Sequence, residues 1–238
     1  MAAQSRPTLL LTRPEPAATR FAAQVRGAFG DGLAIVISPL MVPVVLDAPL
    51  PDGWDGTLFT SETGVAGLAR LTARRGAAIC VGPRTAAAAQ AAGWQARALG
   101  GDANGLVAAL AAAPLTGHWL HARGRDAGDL AGRLRAAGMA VTEAVVYAQE
   151  PQAPTPQARA LLDGPAPLQV ALFSPRSAQL FAAMARGAAA PLHIAAISAA
   201  AARAVEPLAP RRVEIAATPD APGMLAALAR LSATGPGA

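Results

Sequence analysis

Where strand-like apolar runs give way to helix-like segments, the chain repeatedly places a small hydroxyl residue, a glycine or an arginine. These positions are Thr12 with Arg13, Ser61 with Thr63 and Gly64, Gly82 with Thr85, Arg123 with Gly124, Ser174 with Ser177, Ser198, and the stretch 218–223. Small residues at a helix start leave backbone N–H groups open, and the positive end of the helix attracts anions. A hydroxyl there also serves simply as an N-cap, satisfying a backbone donor that would otherwise be orphaned. Recurrence favours a binding role. The same residue types return at equivalent places in both halves of the chain, with Arg13 or Arg123 ending the first strand of each. The chemistry on offer is recognition of anionic groups.

Conspicuous catalytic apparatus is missing. All 20 basic side chains are arginine, which excludes Schiff-base and P-loop lysine mechanisms. No Gly-x-Gly-x-x-Gly follows a strand, and no nucleophile elbow precedes a Ser/His/Asp order. The one cysteine, Cys80, lies in the apolar run 77–81 and reads as a buried structural thiol. His118 and His121 fall three apart on a strand, which turns them to opposite faces, and His193 is distant, so no metal site is expected. The net charge of +5 is dispersed and aromatic residues make up only 4%, which argues against nucleic acid. The long apolar runs are mostly alanine interrupted by Gly, Pro or Arg, so no membrane span is expected. The stretch 1–7 lacks a signal-peptide layout.

The elements that must position these residues alternate. Strand-like runs occupy 8–12, 33–37, 57–60, 78–81, 119–122, 141–147, 170–173, 193–197 and 213–217, mostly separated by Ala/Leu/Arg segments of helical length. Such alternation predicts an α/β fold with parallel sheets. The chain also repeats itself. Asp102-Ala103-Asn104-Gly105-Leu106 returns as Asp220-Ala221-Pro222-Gly223-Met224, and Leu58-Phe59-Thr60-Ser61 as Leu172-Phe173-Ser174-Pro175. Leu10-Leu11-Thr12-Arg13 corresponds to Leu120-His121-Ala122-Arg123, so four strand-helix units are written twice. Ligands of open parallel sheets sit beyond the carboxyl ends of the strands, which is where the candidate residues fall.

Five strings together resemble the uroporphyrinogen-III synthase family over nearly the whole chain. They are Leu11-Thr12-Arg13-Pro14, Phe59-Thr60-Ser61-Glu62-Thr63-Gly64-Val65, Val81-Gly82-Pro83-Arg84-Thr85-Ala86, Val145-Val146-Tyr147 and Phe173-Ser174-Pro175-Arg176-Ser177-Ala178. The resemblance implies two similar flavodoxin-like, Rossmann-like parallel-sheet domains joined by a two-stranded linker, with the active site in the cleft between them. One domain is expected to combine 1–37 with 151–238 and the other to hold 46–143, with 38–45 and 144–150 as linkers. The repeat alone would suggest a tandem split near Pro114.

The activity implied is that of a cyclising hydro-lyase of tetrapyrrole biosynthesis. It would convert hydroxymethylbilane, a linear tetrapyrrole with eight carboxylates, into uroporphyrinogen III with loss of water and inversion of ring D, and without a cofactor. Carried over by position, Tyr147 is the catalytic candidate, its hydroxyl helping the departing hydroxide leave. Arg13, Ser61, Thr63, Gly64, Gly82, Thr85, Arg123, Ser174, Ser177 and Ser198 are the substrate-binding candidates. Two positions depart from the family pattern: Ser198-Ala199-Ala200-Ala201 replaces a Gly-x-x-Thr-Ala string, and Thr63 stands where asparagine is frequent. A cytoplasmic monomer is expected, supplied by hydroxymethylbilane synthase and binding neither nucleic acid nor membrane. The alternative is a non-catalytic two-lobed protein that binds an anionic small molecule.

Overall fold

The computed structural model describes residues 8–233, so the stretch 1–7 weighed above for an export signal lies outside the described residues. In chain order the first half contains β1 (Thr8–Leu11), α1 (Ala17–Phe29), β2 (Ala34–Ile37), β3 (Met41–Val45), β4 (Gly56–Phe59), α2 (Glu62–Leu71), β5 (Ala77–Cys80), α3 (Pro83–Ala91), β6 (Gln95–Ala98) and α4 (Ala103–Ala112). The second half contains β7 (His118–Gly124), α5 (Leu130–Ala136), β8 (Ala140–Pro151), α6 (Pro156–Asp163), β9 (Leu168–Leu172), α7 (Pro175–Met184), β10 (Leu192–Ala196), α8 (Ala199–Arg203), β11 (Arg212–Ile215) and α9 (Ala221–Ser232). All nine strand-like runs of the sequence coincide with strands. β3 falls in a segment read as an extended connector, and β6 is new.

Contacts divide the chain into a first unit, Met1–Val42 with Pro151–Ala238, and a second, Pro43–Glu150. The first unit carries a sheet of order β11-β10-β9-β1-β2, parallel at every pairing. The second carries β3-β8-β7-β4-β5-β6, parallel from β8 through β6. β3 lies beside β8; Leu46 N–H donates to Val146 O at 3.0 Å, and Gln152 N–H to Leu40 O at 3.0 Å. Leaving β3 aside, the two orders match position for position, with β9, β10 and β11 standing where β4, β5 and β6 stand, and β1 and β2 where β7 and β8 stand. Each sheet therefore takes three strands from one half of the chain and two from the other. The halves of the repeat have exchanged their strand pairs.

Both sheets are covered on two faces, which is why their central strands read as unbroken apolar runs. Every residue of β4 and β9 is buried. In the second unit Phe59, Leu68 and Trp94 pack on one face, and Leu58, Leu106 and Leu134 on the other. In the first unit Leu10, Val170 and Phe181 fill one layer, and Leu9, Phe21 and Leu228 the other. Alanine-rich helices suit this design, since alanine carries the highest helix propensity and lets a helix approach the sheet closely. Cys80 sits in the second unit's core, and burial pushes its thiol up to about 11. Native protein at pH 8 should therefore react with iodoacetamide roughly a hundredfold more slowly than the unfolded chain, because only the thiolate attacks. Equal rates would show that the thiol is open to solvent.

The repeated Asp-x-x-Gly string now has a physical reading. Asp102 caps α4 by accepting from Gly105 N–H at 2.7 Å, and Asp220 caps α9 by accepting from Gly223 N–H at 2.8 Å. In both helices the glycine lies directly beneath the carbonyl five residues earlier: a Cβ on Gly105 would fall on Gly100 O, and one on Gly223 on Thr218 O. The loop entering each helix folds back over its first turn, and only glycine leaves room.

Candidate functional site

In the second unit Ser61, Gly64 and Tyr147 come together where β4 and β7 end beside β8. Ser61 is the N-cap of α2, and its Oγ accepts from Gly64 N–H at 3.0 Å. The same Oγ lies 3.1 Å from the hydroxyl of Tyr147 on β8. Gly64 is buried because α2 presses on β7; a Cβ there would come 2.9 Å from Ala122 O. Tyr147 is fixed from three sides. Its carbonyl accepts from Arg125 N–H at 2.9 Å, its hydroxyl meets Ser61, and its ring lies on Gly124, where a Cβ would stand 2.6 Å from Cζ. Gly124 is its register partner across β7, beside the irregularity at Arg123/Gly124. The sequence placed Gly124 with Arg123 at a strand end, without linking it to Tyr147. The signal that could have singled it out is a glycine closing a strand whose neighbour carries the chain's one tyrosine.

The next strand end over, at β5, holds Gly82 and Thr85. Gly82 is the extended N-cap of α3, where no side chain caps the first turn and Pro83 opens the helix. Thr85 is buried in that turn at 7% exposure. Thr63 is half-buried in the first turn of α2. These two helix starts lie side by side, since α2 packs on α3.

Arg123 is committed elsewhere. Its guanidinium donates to Glu143 Oε1 at 3.0 Å and to the carbonyls of Gly124, Arg125 and Ala127 at 3.2, 3.2 and 2.7 Å. It thereby ties the turn after β7 to β8. Beside it His121 is fully buried, with Nδ1 3.6 Å from Glu143 Oε1, too long for a hydrogen bond. Neither ring nitrogen has a partner among the described residues. Burial above all pushes this imidazole down to about 4, against the pull of Glu143 and with a smaller push from Arg123. The sequence set His121 aside as a metal ligand because of its spacing from His118; strand pairing places Glu143 opposite it. His118 is engaged separately, its Nε2 lying 2.6 Å from Thr142 Oγ1.

In the first unit, Arg13 follows β1 and lays its guanidinium over the Phe173 ring, 4.1 Å from the centroid. Ser174 and Ser177 form a reciprocal capping box at the start of α7: Ser177 N–H donates to Ser174 Oγ at 3.0 Å, and Ser174 N–H to Ser177 Oγ at 3.2 Å. Ser177 is nearly fully buried, whereas Ser174 is half-buried. Ser198 caps α8 through Ala201 N–H at 3.3 Å. Ser61, Ser174 and Ser198 are thus caps as well as potential ligands. Ser61 differs in also reaching a side chain outside its own helix, that of Tyr147.

Among the described residues no helix is long and apolar enough to cross a membrane, and no group of three or more His, Cys, Asp or Glu is placed to hold a metal ion.

The fold has solved counterparts. A uroporphyrinogen-III synthetase from Helicobacter pylori superposes with a TM-score of 0.61 at 14% identity, over 94% of this chain and 99% of that one. A mutant uroporphyrinogen III synthase from the extremely thermophilic bacterium Thermus thermophilus gives 0.46 at 17% identity, over 94% and 98%. The first likeness is one of fold, and the second carries no weight at that score. No curated protein matches the chain in sequence. A family model does: that of uroporphyrinogen-III synthase HemD matches residues 30–226, a span that includes Tyr147, Ser61 and both helix starts beside them. By that match the chain belongs to the uroporphyrinogen-III synthase family.

Proposed function

We propose that the chain performs its family's reaction by holding hydroxymethylbilane at the carboxyl ends of its strands, with Tyr147 at the reacting end. The reaction removes the terminal hydroxyl as water and leaves an electrophilic azafulvene. The substituted carbon of the last ring attacks it, and the resulting spiro intermediate fragments and recloses with that ring reversed. Spontaneous closure gives the uninverted isomer, so holding the two ends in the reacting geometry is the protein's main task.

The pairing of Tyr147 with Ser61 carries this reading. Ser61 Oγ already accepts from Gly64 N–H, and its own O–H is available for Tyr147 Oη. With the bond in that sense, the phenolic proton is left to donate to the departing hydroxyl oxygen. The ring cannot slide aside, because Gly124 backs it and Ser61 holds its tip. Beside it, the open amides at the starts of α2 and α3, with Thr63 and Thr85, would hold substrate carboxylates; in the first unit Ser174, Ser198 and Arg13 are the proposed carboxylate ligands. Arg123 shapes the turn beneath Tyr147, and Ser177 holds Ser174 in place. The setting proposed is cytoplasmic, with hydroxymethylbilane synthase as supplier and the chain acting as a monomer.

Incubation with enzymatically generated hydroxymethylbilane, followed by chromatographic separation of the products, should show type III uroporphyrinogen. Type I alone would end the reading. Arg13→Ala is expected to raise KM about tenfold, the loss of one charged hydrogen bond, with little change in kcat. An unchanged KM would remove Arg13 from the site.

A further inference from the structure

The second unit contains a small cavity of about 150 Å3 whose wall includes Thr60 at the end of β4, Ala103 at the start of α4, His121 on β7, Gly128 and Asp129 ahead of α5, and Arg133 on α5. It opens at the same end of the sheet as Tyr147, since Thr60 adjoins Ser61. Nothing in the proposed mechanism uses it. Its notable wall residue is His121, fully buried and with neither ring nitrogen hydrogen-bonded among the described residues, Nδ1 having only the 3.6 Å contact to Glu143. Buried polar groups are ordinarily hydrogen-bonded, so an imidazole with neither nitrogen satisfied points to a missing partner.

We infer that this cavity is a subsite for one carboxylate side chain, which enters to hydrogen-bond His121 as that residue takes up a proton. The inference rests on the proposed substrate for the origin of the carboxylate, not for the chemistry. A neutral imidazole has one donor and one acceptor, and Glu143 Oε1 stands 3.6 Å from Nδ1. Protonation turns both nitrogens into donors: Nδ1–H then faces Glu143, and Nε2–H is left for the ligand. The surrounding groups favour an anion at that point. Arg133 lines the cavity, its NH1 anchored on Asn104 Oδ1 at 3.0 Å, and the start of α4 adds its amides through Ala103. The opposing charges are partly engaged. Asp129 accepts from Gly132 N–H at 2.8 Å, Asp102 from Gly105 N–H at 2.7 Å, and Glu143 is held by Arg123 at 3.0 Å. The volume admits a group of a few heavy atoms, the size of a propionate or acetate arm.

The test uses the whole protein with ring-15N-labelled histidine, whose three imidazoles are separable. Sodium propionate is titrated at constant ionic strength between pH 7 and 5, with propionamide as the neutral control. Both His121 nitrogens should move together toward the imidazolium position and saturate with propionate, while His118 and His193 stay in place and propionamide does nothing. Because binding takes up one proton, affinity should rise on the order of tenfold for each pH unit lowered across that range. In His121→Gln, which keeps a hydrogen-bonding side chain but cannot titrate, residual propionate binding should lose this pH dependence. His121 signals indifferent to propionate, or equally responsive to propionamide, would overturn the subsite. Should type III product still form in that case, the synthase reading stands and only the subsite falls. A saturating propionate shift in protein that yields type I alone would leave the subsite standing and remove the reaction.

Discussion

Replacing Tyr147 with Phe is expected to lower kcat for type III product by about a hundredfold, the low end of what a positioned proton donor contributes, while KM changes little. The ring would keep its seat on Gly124 and its backbone bond to Arg125, so the substitution removes the hydroxyl alone. Two companion variants separate chemistry from packing. Ser61→Ala deletes the partner that orients the phenol and also uncaps α2, so it should lower kcat with a modest loss of stability. Gly124→Ala leaves both hydroxyls present but drives a methyl group into the ring at Cζ, so it should lower kcat by displacing Tyr147. Pre-steady-state measurement of hydroxymethylbilane consumption, with product isomers counted, reads all three. Turnover of Tyr147→Phe equal to the parent protein would show that positioning by other groups suffices.

The largest effect on stability is expected at the two glycines in the first turns of α4 and α9. Gly105→Ala and Gly223→Ala each place a methyl group on a backbone carbonyl, at Gly100 and Thr218 respectively, and backbone cannot swing away as a side chain can. Each should destabilise its unit by about 1–3 kcal/mol, the range for overpacking a close contact. A paired comparison is informative because the two sites lie in different units. Urea unfolding followed by tryptophan fluorescence isolates the second unit, since Trp54, Trp94 and Trp119 all belong to it. Gly105→Ala should shift that transition, whereas the effect of Gly223→Ala should be clear in circular dichroism. A midpoint unmoved by either change would mean that the loop over the first turn yields freely.

Much of this architecture was legible because the chain states it twice. A buried parallel strand needs a short apolar run, and β1, β4, β7, β9 and β10 each present one. The Asp-x-x-Gly strings were visible as a repeat, but their reason was not, since the carbonyl above each glycine belongs to a loop that has no pattern of its own. β6 escaped because Gln95-Ala96-Arg97-Ala98 is an edge strand with only Ala96 buried, and it carries neither an apolar run nor β-branched residues. At the site, the helix-start hydroxyls could be named from composition and position. What could not be named was which of them reaches beyond its own helix. Ser61 and Tyr147 are distant in sequence, as are His121 and Glu143; the second pair faces across the neighbours β7 and β8, and the first meets across β7 from β4 and β8, placements that only the sheet order specifies. Arg123 shows the opposite failure. Its place at a strand end matched Arg13, yet four acceptors in the following turn and on β8 engage it.

The exchange of strand pairs between the halves bears on how the polypeptide matures as it leaves the ribosome. The strands of the second unit are contiguous in synthesis, so β4 through β8 can assemble as soon as they emerge from the exit tunnel. The first unit must wait. β1 and β2 are translated first, but β1 has its other neighbour only when β9 appears, and the sheet is complete only after β11. During that interval β1, whose Leu9, Leu10 and Leu11 are fully buried in the finished sheet, has one edge without its strand.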